Sequence, residues 1–144
     1  MIHIPFPEPD FTVREENGKT YIFDRIRKRM VLLSPEEWVR QNFIAYLTLA
    51  LRYPAALISI EKALQLGSLN KRYDIIVYKD DRPWMMVECK EAAVEITPAT
   101  LEQILRYNMA LPVEYLVLTN GKRTYCIRRS PADWAFLDRL PAYG

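Results

Sequence analysis

Residues 73–90 read YDIIVYKDDRPWMMVECK. YDIIVY and WMMVECK are rich in β-branched, aromatic and methionine side chains and flank a polar KDDRP turn, so the segment predicts a β-hairpin. Strand side chains alternate between faces, which puts Met85, Val87 and Cys89 on one face and Trp84, Met86, Glu88 and Lys90 on the other. Asp74 falls with Ile76 and Tyr78. If Tyr78 pairs with Trp84, Asp74 stands across from Glu88 with Cβ atoms about 5 Å apart. A one-residue slip would send Asp74 to the opposite face, so this register decides what three charges are doing in core-like strands.

Working outward, TYIFD (20–24) and RMVLL (29–33) read as short strands around a basic RIRKR segment. In SPEEW, Ser34 suits a helix N-cap, Pro35 the first helical position and Glu37 the third, the pattern of a reciprocal capping box. The spacing of Trp38, Val39, Phe43, Tyr46, Leu47 and Ala50 predicts a helix running to about Tyr53, before Pro54. ALISIE (56–61) reads as a strand and QLGSLNKR (65–72) as a polar loop. After the hairpin, Thr97 or Thr100 can cap a second helix to about Leu111, with Leu101, Ile104, Leu105 and Met109 as its apolar stripe. VEYLVLT (113–119) and RTYCIR (123–128) are strands joined at TNGK, and SPADWAFLDRL (130–140) predicts a short closing helix. Helix, three strands, helix, two strands make an α/β protein with a mixed sheet covered by helices. A single domain follows, with residues 1–33 as a proline-rich arm and short strands packed on the body formed by 34–144.

The chain has 144 residues, half of them apolar and 26% charged, with a formal net charge of +2. That length suffices for one domain with a core that needs no disulfide or metal staple. A charge so small does not by itself identify a nucleic-acid binder; the distribution of basic residues must do so. Cys89 and Cys126 lie in strand-like runs without metal-type spacing and read as reduced, buried thiols of a cytoplasmic protein. No apolar run reaches the ~20 residues of a membrane span, and the amino terminus lacks signal-peptide features. The single histidine, His3, argues against a serine triad, a Cys-His pair or a histidine-based zinc site.

Two opposed carboxylates repel unless a positive group lies between them, and a divalent metal is the natural candidate for Asp74 and Glu88. Oxygen ligands in this arrangement suit Mg²⁺ or Mn²⁺, with the Cys89 carbonyl as a further ligand. Lys90 would then stand beside the attacking water or offset charge on a phosphorane. The competing reading is an exposed sheet edge carrying a cross-strand ion pair. The second helix shifts the balance: Gln103 and Tyr107, four residues apart and beside Arg106, form a polar face able to hold a phosphate or stack a base.

The ordered set Asp74, Glu88-Cys89-Lys90 and Gln103-Ile104-Leu105-Arg106-Tyr107 resembles the PD-(D/E)XK nuclease superfamily. In particular it is similar to the amino-terminal nuclease domain of type I restriction enzyme R subunits. SPEEWVRQNFIAYL (34–47), KRYDIIVY (71–78) and LVLTNGKRTYCIR (116–128) look like that family's surroundings. Tyr73 stands where the superfamily's eponymous proline would be. The resemblance implies a restriction-endonuclease-like α/β/α sandwich with a mixed central sheet, metal ligation by Asp74 and Glu88, Lys90 as base or charge stabiliser, and supporting roles for Gln103 and Tyr107. It also directs attention to an additional acid ahead of the aspartate, for which Glu61 is the candidate. Glu37 is accounted for by the capping box. Lys71 and Arg72, just before Asp74, would guide phosphates toward the acids, and Arg25, Arg27, Lys28 and Arg29 form a second basic cluster.

The chain contains no G-x-x-x-x-G-K-[ST] loop and is too short to house a motor, so it reads as a nuclease-like domain rather than a whole R subunit. The leading expectation is a Mg²⁺- or Mn²⁺-dependent DNA endonuclease of restriction-modification type, with a protein partner that supplies targeting. The alternatives are a non-catalytic nucleic-acid-binding module on the same fold, or a partner-docking domain whose acids are surface charges.

Overall fold

The computed structural model describes the backbone of residues 1–7, 9–66, 69–108, 113–131 and 133–144, with side chains throughout these except at 61–66, 69–71 and 107–108. The described chain runs β1 (Val13–Glu16), β2 (Lys19–Asp24), β3 (Arg29–Leu32), α1 (Pro35–Ala45), β4 (Ile58–Leu66), β5 (Leu69–Lys79), β6 (Arg82–Cys89), α2 (Pro98–Asn108), β7 (Tyr115–Thr119), β8 (Thr124–Arg129) and β9 (Trp134–Leu137). A six-stranded sheet, ordered β4-β5-β6-β7-β8-β9, is the centre, and β1-β2-β3 form a separate small sheet. Neighbours in the large sheet are antiparallel except β6 and β7. That parallel pair needs a crossover, and α2 supplies it.

Alternation along the strands makes two cores. Val39, Phe43, Ile44 and Leu47 pack with Ile75, Val77, Met85, Val87, Val117 and Cys126 on one face. Leu105, with Leu101 at its margin, packs with Ile76, Met86, Leu116 and Ile127 on the other. The α/β/α layering with a mixed sheet expected from the sequence is therefore the fold. Ile2 and Ile4 of the amino-terminal arm are buried in the first core, and the Ile2 amide donates to the Thr124 carbonyl at 2.8 Å.

The hairpin forms, but its register is not uniform. Asp80 and Asp81 both take positive φ, 53° and 61°, the signature of a tight two-residue turn. That turn sets Lys79 against Arg82 and Tyr78 against Pro83, not Trp84; a bulge then restores Val77 against Met85 and Ile75 against Val87. Trp84 is the extra residue, so it turns away from the face shared by Met86 and joins the α1-side core with Tyr53, Tyr115 and Tyr143.

Other expectations are corrected similarly. The described residues of QLGSLNKR are strand rather than loop, because β4 runs to Leu66, β5 starts at Leu69, and the two pair from Ile58↔Val77 to Leu66↔Leu69. Among its described residues SPADWAFLDRL forms no helix. Ser130 and Asp133 exchange main-chain hydrogen bonds in a turn, and Trp134–Leu137 adds to the open edge of β8. Trp38 is 47% exposed and lies off the buried stripe, edge-on to Phe11. The α-helix ends at Ala45, continuing as a π-helical turn over Tyr46–Ala50. β1 escaped notice although Asn17-Gly18, with φ of 53° and 76°, is a strong hairpin signal. Thr97 is the α2 cap, accepting from the Thr100 amide at 3.1 Å. The suggested helix end near Leu111 and the role of Met109 lie outside the described residues.

Candidate metal and phosphate site

Continuing the Ile75↔Val87 register by one residue places Asp74 opposite Glu88. Alternation breaks here: Tyr73 packs in the α2-side core with Ile76, whereas Ile75 lies in the α1-side core. The phase slip lets Asp74 reach α1. Its Oδ1 accepts from Arg40 Nη2 at 3.1 Å, and its Oδ2 accepts from the Cys89 amide at 2.8 Å. Two donors from different elements thus fix the carboxylate plane. The Cys89 main chain is engaged through its N–H, and the Lys90 amide donates to the Thr119 carbonyl at 2.8 Å, tying the end of β6 to β7.

The Glu88 pKa is pushed up to about 8, first by burial and then by the Asp74 charge, with Lys90 acting in the opposite direction. Glu36, at the start of α1, belongs to the same field: burial and then Asp74 raise its pKa, while Arg40 and Lys90 lower it. Sequence reading missed Glu36 because attention fell on its neighbour; Pro35 at the first helical turn, followed by two acids, was the available signal.

Glu37 is not the second half of a capping box. Its amide donates to Ser34 Oγ at 3.0 Å, but the Ser34 amide goes to the Leu32 carbonyl. The Glu37 carboxylate turns inward instead, accepting from Arg40 Nη1 at 2.7 Å, Arg27 Nη2 at 2.8 Å and Gln41 Nε2 at 3.1 Å. Arg40 stays charged because Glu37 and Asp74 outweigh its burial.

Asp74, Glu88 and Lys90 therefore converge with Glu36 and Arg40. Gln103 is exposed, and Arg106 is exposed and paired with Glu102 at 2.7 Å. Among the described residues no bond joins either to the acids. Arg72 is exposed beside Tyr73. The side chains of Glu61, Lys71 and Tyr107 lie outside the described residues. Of the second basic cluster, Arg27 is largely buried among Asp24 and Glu37, whereas Arg29 is exposed and lines an open basin of about 470 Å³ with Leu32, Glu36 and Arg40. Another basin of about 400 Å³, lined by Lys79, Arg82 and Trp84, lies at the opposite end of β5 and β6.

Among the described residues no three His, Cys, Asp or Glu side chains make a ready-made metal cage. Two neighbouring carboxyls are nevertheless a suitable donor set for Mg²⁺, which commonly takes one or two carboxylates and completes its shell with water and phosphate oxygens. The cysteines offer no rival chemistry: both are buried, and burial lifts Cys89 well above the usual thiol range and Cys126 to about 12. Among the described residues no helix is long and apolar enough to cross a membrane.

Residues 35–141 match the family model described as type I restriction enzyme R protein N terminus. A search of curated proteins returned no match.

Proposed function

The chain belongs to the family of type I restriction enzyme R protein N-terminal domains, and from that premise we propose that it is a metal-dependent nuclease of the PD-(D/E)XK type that hydrolyses phosphodiester bonds in DNA. Asp74 and Glu88 would hold Mg²⁺ or Mn²⁺, with the Cys89 carbonyl as a further ligand. The observation that supports this most is the buried Glu88 carboxyl at the end of β6, whose pKa is raised to about 8 by burial and by the charge of Asp74 from the middle of β5, with Lys90 opposing. A bound divalent ion supplies Lewis-acid polarisation of the phosphate oxygens at such a site.

The chain's own groups do the rest. Asp74, held by the Cys89 amide and by Arg40, presents a fixed carboxylate. Glu88 would hold the ion as the carboxylate, its proton released to solvent. Lys90 orients the attacking water and offsets charge growing on the phosphate. Arg72, Lys71 and Arg106 would contact the DNA backbone, with Gln103 and Tyr107 steadying phosphate or base. Targeting to particular DNA would come from a protein partner.

A second reading, a binding module without catalysis, is favoured by one observation: Asp74 already has Arg40 as a counter-charge. Cleavage separates the two. With linear, circular, single-stranded and branched DNA in Mg²⁺ or Mn²⁺, the nuclease cuts at least one form. Glu88→Ala and Lys90→Ala should each lower the rate by roughly 100-fold or more. Equal cleavage by the variants refutes the assignment, and DNA binding without cutting supports the module.

A further inference from the structure

The family match begins at residue 35, yet a continuous chain of charged contacts reaches Asp74 from the small sheet ahead of it. Asp24, fully buried at the end of β2, accepts from the Ile26 and Arg27 amides, each at 2.8 Å, and from Arg27 Nε. Arg27 Nη2 then reaches Glu37, Glu37 holds Arg40, and Arg40 Nη2 meets Asp74. Gln41 braces the chain from within α1, donating to Asp24 Oδ2 at 3.0 Å and to Glu37 Oε2 at 3.1 Å.

A guanidinium is a rigid planar fork, so a fork held at one prong fixes the other. We propose that Arg40 is a positioning residue for Asp74, and that the β2–β3 turn, through Asp24, Arg27 and Glu37, sets its position; metal affinity then depends on residues outside the matched family region. This rests on reading Asp74 and Glu88 as a metal pair. Groups that orient metal-ligating carboxylates commonly change affinity by about 10- to 100-fold when altered.

The test is Mn²⁺ affinity of the full chain by calorimetry, with the spectrum of bound Mn²⁺ by electron paramagnetic resonance as a second readout. Arg40→Lys and Arg27→Lys keep the charge and lose the fork. Each should weaken Mn²⁺ binding, Arg40→Lys by about tenfold, and alter the spectrum. Arg27→Met sharpens the sign: removing a positive charge should by Coulomb's law tighten cation binding, whereas loss of positioning weakens it. Ile22→Ala, which loosens the same small sheet through its buried Ile22 without touching the ion chain, should leave affinity unchanged. Lysine variants that bind like wild type, a tighter Arg27→Met, or an equal loss in Ile22→Ala would overturn the proposal. Wild-type binding that is absent, or unaffected by Glu88→Gln, would instead overturn the metal reading on which it rests.

Discussion

Glu88 shows how a single side chain reports the purpose of its surroundings. A carboxyl whose pKa is raised from 4.5 to about 8 by burial and by Asp74 binds its proton more tightly in the folded protein than in the unfolded chain. Its contribution to stability is fully present below the unfolded value and is lost as pH rises from about 4.5 toward 8. In metal-free buffer the melting temperature should therefore fall over this window, by an amount on the order of a few kcal/mol in stability. Glu88→Gln should flatten the profile, and so should Mn²⁺, which favours the ionised pair. An unchanged slope in Glu88→Gln would show that Glu88 is not the titrating group. At this scale the sequence was informative: charged Asp74, Glu88 and Lys90 within apolar strands were enough to single them out. Glu36 and Arg40 were not legible, because helix periodicity marks them as ordinary polar positions, and only the break in strand alternation at Asp74 brings α1 within reach.

Each element that carries the site is anchored by a short polar device. For α1 the device is Ser34, whose Oγ accepts from the Glu37 amide; Ser34→Ala should cost about 1 kcal/mol by chemical denaturation. Replacing Glu37 with Gln should cost more, since it leaves two buried arginines without their shared carboxylate. If Ser34→Ala costs as much as Glu37→Gln, the inward-facing ion chain has little weight in α1. The cores of the strands and the starts of both helices in the 34–128 region were readable from period and turn chemistry, whereas QLGSLNKR reads as a loop although β4 and β5 reach into it. What failed was local: SPEE and SPAD look alike, but only the first precedes an apolar stripe at helical spacing that can be buried. The second lies beside the unpaired edge of β8, and ladder hydrogen bonds there outweigh the helical start signal. Likewise the Asp80-Asp81 turn could be located, but not the bulge that moves Trp84 across the sheet.

At the scale of the whole molecule, α/β/α layering brings the middle of β5 and the end of β6 together with the first turns of α1. The family match describes this unit over residues 35–141, while the small sheet enters it through Arg27 and Glu37. The sequence revealed the layers through its order of elements; the nuclease-like reading of Asp74, Glu88 and Lys90 drew also on Gln103 and Tyr107 in the second helix. It did not reveal that the basic RIRKR segment is divided, with Arg27 turned inward as a brace and Arg29 left outside. The central claim is that Asp74 and Glu88 form one divalent-metal site. Diffraction from crystals soaked in Mn²⁺, recorded at the manganese absorption edge, tests it directly. An anomalous peak within bonding distance of both carboxylates, lost in Glu88→Gln, is the expected result; crystals with no peak there would contradict it.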